Sequence, residues 1–458
     1  MTGSARHQSV SDLLNSRCAR QSFLIGTSWS AAGVIVSRLL LMLGMVASAR
    51  QLGLATFGQL GLLQQSVLQI AVVISYGFGL TGAKYVAEVR HSDRARAGRI
   101  LAFVLLASTC TAISVSCVTL AAAPWLAEVV LRDASLTQPL MLSVPWILFA
   151  AGSLTIQVCL TGLLAFREAA CIQVLEAVIG ATFGVAGAAV WGLSGAVVGF
   201  GVGAAIGCLT SACVLWFAVR SAMIPVRLDL VRSALHEGRM LAGFWIPSTA
   251  EACVVLLIGS VCPVVLARSP SGFIELAMFN AANYWFNMLV MMPNILQRVG
   301  TAVQASALGR NNASDAAMVR RTTLLFNLAL SGFGALPLLL FSQQLLALFG
   351  PQYRNGWPTM WLCVGTAICV SIVKPAEQTL KVAGRAWLSL SLHALLAIIY
   401  FIAFVPLVSF GAVGLAAARL IAYSMHSITM SVAIGFEPAR KQDRQFPVGA
   451  SAPTSAAA

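Results

Sequence analysis

Long apolar runs alternate with short polar segments along almost the whole chain. A helix needs about 20 mostly apolar residues to cross the roughly 30 Å of hydrocarbon in a bilayer. Twelve runs approach this length, at residues 22–46, 58–82, 100–121, 139–165, 169–191, 195–218, 242–266, 275–299, 322–341, 356–374, 386–406 and 412–433. The pattern predicts an all-α polytopic membrane protein with about twelve transmembrane helices, called helices 1 to 12 in this order.

The composition argues against a soluble fold. Of the 458 residues, 59% are hydrophobic and only 10% are charged, whereas soluble domains have about 45–50% apolar and about 25% charged residues. The net charge of +14 is spread over many loops. No clustered basic face with base-stacking aromatic residues is evident, as nucleic-acid binding would require. We therefore expect a lipid bilayer as partner, and no nucleic acid.

Motifs of catalysis and metal binding are missing from the sequence. It has no Gly-x4-Gly-Lys-[Ser/Thr] phosphate loop, no His-Glu-x-x-His and no Gly-x-Ser-x-Gly. The eleven cysteines form no Cys-x-x-Cys pair, and nearly all lie inside apolar runs, where they resemble small buried hydrophobic residues. We predict no enzymatic activity, no cofactor and no metal.

The positions of the basic residues predict an orientation. With both termini in the cytoplasm, 23 of the 29 Lys and Arg residues fall in cytoplasmic segments, four fall in periplasmic loops and two fall within helices. Cytoplasmic loops of membrane proteins carry such an excess of positive charge. Both termini are therefore expected in the cytoplasm.

The two halves of the chain match each other at one offset, which indicates an internal duplication. Ala49-Arg50 corresponds to Ala267-Arg268, and Arg167 corresponds to Arg385, both at a distance of 218 residues. The segment starting Gly192-Leu-Ser-Gly195 corresponds to that starting Gly411-Ala-Val-Gly414, at 219 residues. Six helices per half is an even number, so the halves would be related by an axis along the membrane normal, as in many transporters.

This duplication predicts two pseudo-symmetric six-helix lobes, with a substrate site expected at their interface; the family resemblance described below implies that the lobes surround a central cavity. The predicted segments are a cytoplasmic N-tail at 1–21, an N-terminal lobe at 22–218, a cytoplasmic linker at 219–241, a C-terminal lobe at 242–434 and a disordered cytoplasmic tail at 435–458.

Helix 8 carries a polar stripe. Its members lie on one helical face at spacings of 3, 4, 7 and 4 residues: Asn280, Asn283, Asn287, Asn294 and Arg298. Unpaired polar groups facing lipid cost several kcal/mol each, so the stripe must face water or another helix. Helix 2 carries Gln65 and Gln69 at positions that the offset maps onto Asn283 and Asn287. The stripes predict either the wall of a hydrated cavity or hydrogen bonds between helices.

Two arginines lie within predicted helices. Arg38 is about two-thirds of the way along helix 1, where a charge is costly to insert. Either it binds an anionic group of a substrate, or its long side chain reaches the outer interface. Arg419 lies nearer the outer end of helix 12, and the second interpretation is preferred for it.

Three other ionisable residues are candidates for ion coupling. Glu251 lies near the middle of helix 7, Glu176 lies on helix 5 and His393 lies on helix 11. A lone carboxyl group in the membrane is expected to be protonated or paired. A hydrogen-bonded packing contact is the alternative for each residue.

The sequence resembles the oligosaccharide-repeat-unit flippases of polysaccharide biosynthesis, in the multidrug/oligosaccharidyl-lipid/polysaccharide exporter superfamily. The resemblance spans nearly the whole chain and depends on four motifs. They are Ala49-Arg50-Gln-Leu-Gly53 with Phe57-Gly58, Gly-Leu-Ser-Gly-Ala at 192–196, Leu348-Phe349-Gly350-Pro351-Gln352-Tyr353, and Ala383-Gly384-Arg385. Leu54 departs from the family, which often has proline there.

The resemblance implies a cavity lined largely by helices 1, 2, 7 and 8 in a bacterial inner-membrane protein. It also implies the substrate, an undecaprenyl-pyrophosphate-linked oligosaccharide that is turned from the cytoplasmic to the periplasmic leaflet for surface polysaccharides such as lipopolysaccharide or exopolysaccharide. The polysaccharide polymerase machinery is a candidate partner. In this interpretation Arg38 and Arg298 contact the anionic head, and Gln65, Gln69, Asn280, Asn283 and Asn287 line the glycan path.

Other functions stay open at this point. A multidrug or cation antiporter of the same superfamily would favour carboxylates in the membrane, and the chain offers both arginines and glutamates. A lipid II flippase is expected to have more helices. A membrane glycan polymerase or ligase would require a large outer loop, and no outer loop exceeds about 20 residues.

Overall fold

A computed structural model describes residues 17–89, 93–225, 231–309, 313–382 and 385–435. Residues 1–16 and 436–458, which form most of the two predicted tails, lie outside these ranges. The motif residues Ala383 and Gly384 also lie outside them.

The described residues form twelve long helices and no strand. Their bounds are α1 Arg17–Leu52, α2 Leu54–Val89, α3 Arg94–Trp125, α4 Thr137–Gly162, α5 and α6 within Phe166–Ser221, α7 Val231–Ala267, α8 Gly272–Gly309, α9 Ala313–Leu340, α10 Trp357–Val382, α11 Ala386–Leu407 and α12 Gly411–Gly435. The prediction of an all-α protein with twelve helices is confirmed. Helix α7 begins at Val231, inside the range predicted as a linker.

Nine stretches of the described residues are long and apolar enough to cross a membrane. Two of these stretches, Phe166–Ser221 and Trp387–Ile434, each contain two helices. Helix α8 is not among the nine, because its row of asparagines lowers its mean hydropathy. We call the end of the bundle at residues 52–54 the upper face, which is predicted to be periplasmic, and the opposite end the lower face.

Backbone geometry supports the internal duplication. Helices α5 and α6 are separated by a break at Gly192, with φ 59° and ψ −135°. The start of α12 has nearly the same conformation at Gly411, with φ 58° and ψ −131°. An L-residue is strained at this positive φ, whereas glycine is not. The matching positions of the two halves thus contain the same turn.

Small residues bring the helices of the N-terminal lobe into close contact. Gly33 and Gly44 of α1 lie against Ala170 and Ala181 of α5. The glycine ridges of α5 and α6 face each other, with Gly180 against Gly203. Close backbone approach of this kind is how membrane helices associate without a hydrophobic driving force between them.

The lobes meet chiefly where α2 packs along α7 and α8. Gln65 Nε2 of α2 donates to the Gly259 carbonyl of α7 at 3.1 Å, and the Ser260 hydroxyl of α7 donates to Gln69 Oε1 at 2.7 Å. Nearer the lower face, the Phe78 and Trp245 rings stack with centroids 5.4 Å apart. We call this continuous α2–α7 contact the seam.

Candidate functional site

One face of α1 changes from buried to exposed along its length. Met42, Met45 and Ala49 lie on this face near the upper end, and all three are buried. Arg38 continues the same face one turn lower and is exposed. The lipid-facing side of α1 is a different one, marked by Leu39 and Leu43, which are 47% and 63% exposed. Arg38 therefore lies on the face of α1 that is buried nearer the upper end.

Helix α8 shows the same change along its asparagine face. Leu276 and Asn280, near the upper end, are buried, whereas Asn287 and Asn294 below them are exposed. Arg38 and Asn287 lie 14 and 15 residues from the upper ends of their helices, so both lie about 22 Å below those ends. We call the region below the buried upper segments, bordered by Arg38 of α1 and by Asn287 and Asn294 of α8, the cleft.

The cleft is closed above by the two longest motifs of the sequence. Arg50 Nε donates to the Leu348 carbonyl at 2.7 Å, across 298 residues. The Phe57 ring packs against Phe349 and Tyr353, with centroids 6.0 Å and 5.9 Å away. The three rings are fully buried. We call these five residues the upper lock; sequence reasoning identified both motifs but did not predict that they meet.

The polar residues of α2 and α8 divide into two groups. Gln65 and Gln69 are engaged in the seam, and Asn280 is buried against Gly61 of α2. Asn287 is exposed at the cleft. The side chain of Arg298 lies outside the described residues. Gln65, Gln69 and Asn280 thus form contacts between helices, whereas Asn287 lies at the cleft.

Arg419 is turned inward, contrary to the preferred interpretation of the sequence. Its Nη1 donates to Asn283 Oδ1 at 2.7 Å, and its guanidinium carbon lies 3.7 Å from the Phe286 ring centroid. The hydrogen bond and the cation–π contact hold the arginine on α8, above the cleft. The reason is geometric, since α12 packs beside α8 and brings the Asn283 amide within hydrogen-bonding distance of the guanidinium.

Gln64, a further polar residue of α2, contacts α8. The Tyr284 hydroxyl donates to Gln64 Oε1, and Gln64 is buried. Sequence reasoning missed both residues, although Gln64 precedes a predicted one.

Glu251 and His393 are brought together in the C-terminal lobe. His393 Nδ1 lies 4.0 Å from Glu251 Oε1. Glu377 joins them, because donor atoms of all three lie within 4.8 Å of one another. Lys374 Nζ forms an ion pair with Glu377 Oε2 at 3.1 Å, and the His426 ring lies 5.1 Å from that of His393. We call these five residues the C-lobe cluster.

Three members of the C-lobe cluster were not identified from sequence. The predicted helix 10 ended at residue 374, where apolarity stops, but α10 continues to Val382. Lys374 and Glu377 therefore lie one turn apart inside a helix, not in a loop. Their spacing of three residues, which suits an ion pair on one helical face, was the available signal.

Glu176 lies apart from this cluster, in the N-terminal lobe. Its Oε2 accepts hydrogen bonds from Ser153 Oγ at 2.9 Å and from Gln157 Nε2 at 3.1 Å. Glu176 packs against Gly207 of α6. Its role in ion coupling stays a prediction, and the contacts themselves join α4 to α5.

The sequence and fold were compared with those of known proteins. The family described as "Polysaccharide biosynthesis protein" matches residues 23–304, more than half of the chain. No curated protein sequence matches significantly.

Solved membrane transporters share the fold. An inward-facing multidrug resistance MATE family transporter of the MOP superfamily is 14% identical, with TM-score 0.72, over 88% of this chain and 96% of that one. A MOP superfamily transporter from Pyrococcus furiosus is 14% identical, with TM-score 0.68, over 90% and 95%. The lipid II flippase MurJ, inward closed, is 12% identical, with TM-score 0.68, over 90% and 88%. At these identities the likeness establishes the two-lobed fold alone.

Proposed function

Because the chain belongs to the polysaccharide biosynthesis protein family, we propose that it is a flippase for an undecaprenyl-pyrophosphate-linked oligosaccharide repeat unit. It would carry this lipid from the cytoplasmic to the periplasmic leaflet of the inner membrane by alternating access. The family and the fold are those of membrane transporters. The substrate and the direction are the proposal.

The observation that carries the proposal is that Arg38 and Asn287 are both exposed at the same depth, about 22 Å below the upper ends of their helices and below the upper lock. A pyrophosphate needs cationic donors when it leaves water, and charge-assisted hydrogen bonds from a guanidinium supply them. Amides such as Asn287 can bond to sugar hydroxyls. The cleft thus offers a basic and an amide surface at one depth.

In this proposal the predicted residues have different tasks. Arg38 and Asn287 would contact the cargo in the state described. Asn283 and Arg419, joined to each other at 2.7 Å, would be reached when the upper lock opens. Gln65 and Gln69 hold the seam in this state and would contact the glycan only if the seam parts.

The test is the Arg38→Ala variant in cells that lack the native protein. Losing one charge-assisted contact of about 1.5–3 kcal/mol should lower surface polysaccharide at least about tenfold, at matched expression. Arg38→Lys should retain part of the activity, since it keeps the charge. Arg268→Ala, which removes an exposed arginine at the upper face, is the matched control and should export normally. Undiminished polymer in Arg38→Ala would remove this arginine from the mechanism.

A multidrug antiporter is the second candidate, favoured by the MATE family neighbours. Organic cations would be repelled by Arg38 at the cleft. Deleting the protein should therefore leave drug susceptibility unchanged while surface polysaccharide is lost. Drug sensitivity with normal polysaccharide would reverse the assignment.

A further inference from the structure

A groove of about 580 Å³ lies between the lower parts of α9, α10 and α12. All three helices contribute to its apolar lining, which includes Leu324 of α9, Pro375 and Ala376 of α10 and Ile434 of α12. Its volume is within the range of ligand sites, roughly 300–1,000 Å³. None of its described lining residues belongs to the cleft, the upper lock or the C-lobe cluster. We call it the lower groove.

A polar contact between α9 and α10 forms the upper limit of the lower groove. Pro375 has no N–H to donate to the Ser371 carbonyl one turn above it. Asn327 Nδ2 of α9 donates to that carbonyl at 3.5 Å, and the Ser331 and Ser371 hydroxyls lie 2.7 Å apart. Asn327, Ser331 and Ser371 are all buried. The lining residues of both helices lie below this contact.

The lower groove uses a different face of α10 from the C-lobe cluster. Ile372, Pro375 and Ala376 line the groove, and their spacings of three and four residues place them on one helical face. Lys374 and Glu377, three residues apart, share the opposite face. The groove is therefore a separate feature from the ionisable cluster.

Two arginines of α9 stand at the lower end of the groove. Arg320 and Arg321 both line it, and its described lining contains no acidic residue. Arg320 is 20 residues from the upper end of α9 at Leu340, or about 30 Å, which equals the thickness of the hydrocarbon region. The guanidinium groups thus lie at the level of lipid headgroups, with the apolar lining directly above them.

We propose that the lower groove binds an anionic phospholipid of the lower leaflet, which is predicted to be the cytoplasmic one. The phosphate group accepts charge-assisted hydrogen bonds from Arg320 and Arg321. An acyl chain lies along Leu324 and Ile372, below the contact of Asn327. Basic pockets between helices on the cytoplasmic side suit anionic headgroups in this way. The inference goes beyond the proposed function and does not depend on it, because a resident membrane lipid needs no transported cargo.

The surroundings of the groove favour a phospholipid over a water-soluble anion. Leu325 and Phe326, which follow Leu324 on α9, are exposed on the surface of the bundle, so this surface is suited to contact with lipid. A soluble anion would contact the arginines and leave the apolar lining unfilled. A phospholipid fills both parts, and it connects the lower ends of α9, α10 and α12.

Native mass spectrometry of the full-length protein in detergent tests the charge of the ligand. The probes are phosphatidylglycerol and, as the comparison without net charge, phosphatidylcholine with the same acyl chains. One phosphatidylglycerol should bind at least about tenfold more tightly than phosphatidylcholine, because two arginines face its phosphate. The Arg320→Gln/Arg321→Gln variant should lose this preference. Arg94→Gln/Arg220→Gln, which removes two exposed arginines elsewhere at the lower face, is the matched control and should keep it.

A second variant tests the apolar part of the lower groove. Ser431 lines the groove from α12 and is exposed, so Ser431→Trp fills it without removing a charge. This variant should weaken the binding of phosphatidylglycerol at least about tenfold. Ser391→Trp, at an exposed position of α11, is its control and should bind normally. Phosphatidylglycerol should also raise the thermal midpoint of the unaltered protein but not that of either groove variant.

Four results would overturn the phospholipid site. The first is equal binding of phosphatidylglycerol and phosphatidylcholine, and the second is a preference that survives both groove variants. Displacement of the lipid by inorganic phosphate would show a site for anions alone. Tighter binding of undecaprenyl phosphate than of phosphatidylglycerol would assign the groove to the cargo.

Discussion

At the scale of single residues, the intramembrane arginines differ in what surrounds them. Arg38 is exposed at the cleft, whereas Arg419 is held by Asn283 and Phe286. The sequence placed both within helices but favoured the outer interface for Arg419, because its actual partners lie more than 130 residues away along the chain. Only the folded arrangement separates an exposed guanidinium from one that is held on a neighbouring helix.

We predict that Asn283→Leu lowers stability by about 1–3 kcal/mol, because it leaves the Arg419 guanidinium without its acceptor. The thermal midpoint of the purified protein measures this change. In the Asn283→Leu/Arg419→Met double variant part of the loss should be recovered, since replacing both partners removes the unpaired charge. Asn287→Leu, a matched change at the exposed cleft, should alter stability by less than about 0.5 kcal/mol. Strictly additive effects would show that Asn283 and Arg419 are not coupled.

At the scale of helices, the sequence predicted which helices exist but not the residues at which they begin and end. Apolar runs identify membrane helices because hydrocarbon offers no other partner for the backbone. Helices continue, however, into polar turns that a hydropathy limit excludes, so α1 runs from Arg17 to Leu52 where 22–46 was predicted. For the same reason the predicted helix 10 ended before Glu377, although α10 continues to Val382. Contacts such as that of Arg50 with the Leu348 carbonyl have no sequence signal, because any residue provides the acceptor.

We predict that Gly411→Ala destabilises the protein more than Gly192→Ala. Both positions have positive φ, and an alanine there costs about 1–3 kcal/mol. A Cβ at Gly411 would also collide with the Glu275 carboxylate, which accepts from the Ala412 N–H at 2.8 Å, whereas a Cβ at Gly192 meets no atom within 4 Å.

Thermal midpoints of the two variants check this order. Gly332→Ala, in α9 with open space around the new Cβ, is the control and should be neutral or slightly stabilising. Equal losses at Gly192 and Gly411 would contradict the role given to Glu275.

At the scale of the whole molecule, the two lobes are joined at the upper face. The upper lock connects them there and the seam connects them along α2 and α7, whereas Arg38 of α1 and Asn287 of α8 are exposed below the lock. Alternating access by the proposed flippase would require the upper lock to open.

We predict that Asn294→Cys, in a version without native cysteines, reacts with a membrane-impermeant maleimide from the cytoplasmic side only. Asn294 is exposed on the cleft face of α8, and thiolates react only where water reaches them. Ala277→Cys, at a fully buried position near the upper end of the same helix, should react more than about tenfold more slowly. Labelling of Asn294→Cys from the periplasmic side would reverse the predicted orientation of the protein.

The hydrogen bond of the upper lock has a consequence for how mutations affect it. Its acceptor is the peptide carbonyl at position 348 and not a side chain. Replacing Leu348 by another residue leaves that oxygen in place, so only changes of the arginine can remove the bond directly. A mutational scan should therefore find position 50 intolerant and position 348 permissive, an asymmetry between partners that touch each other.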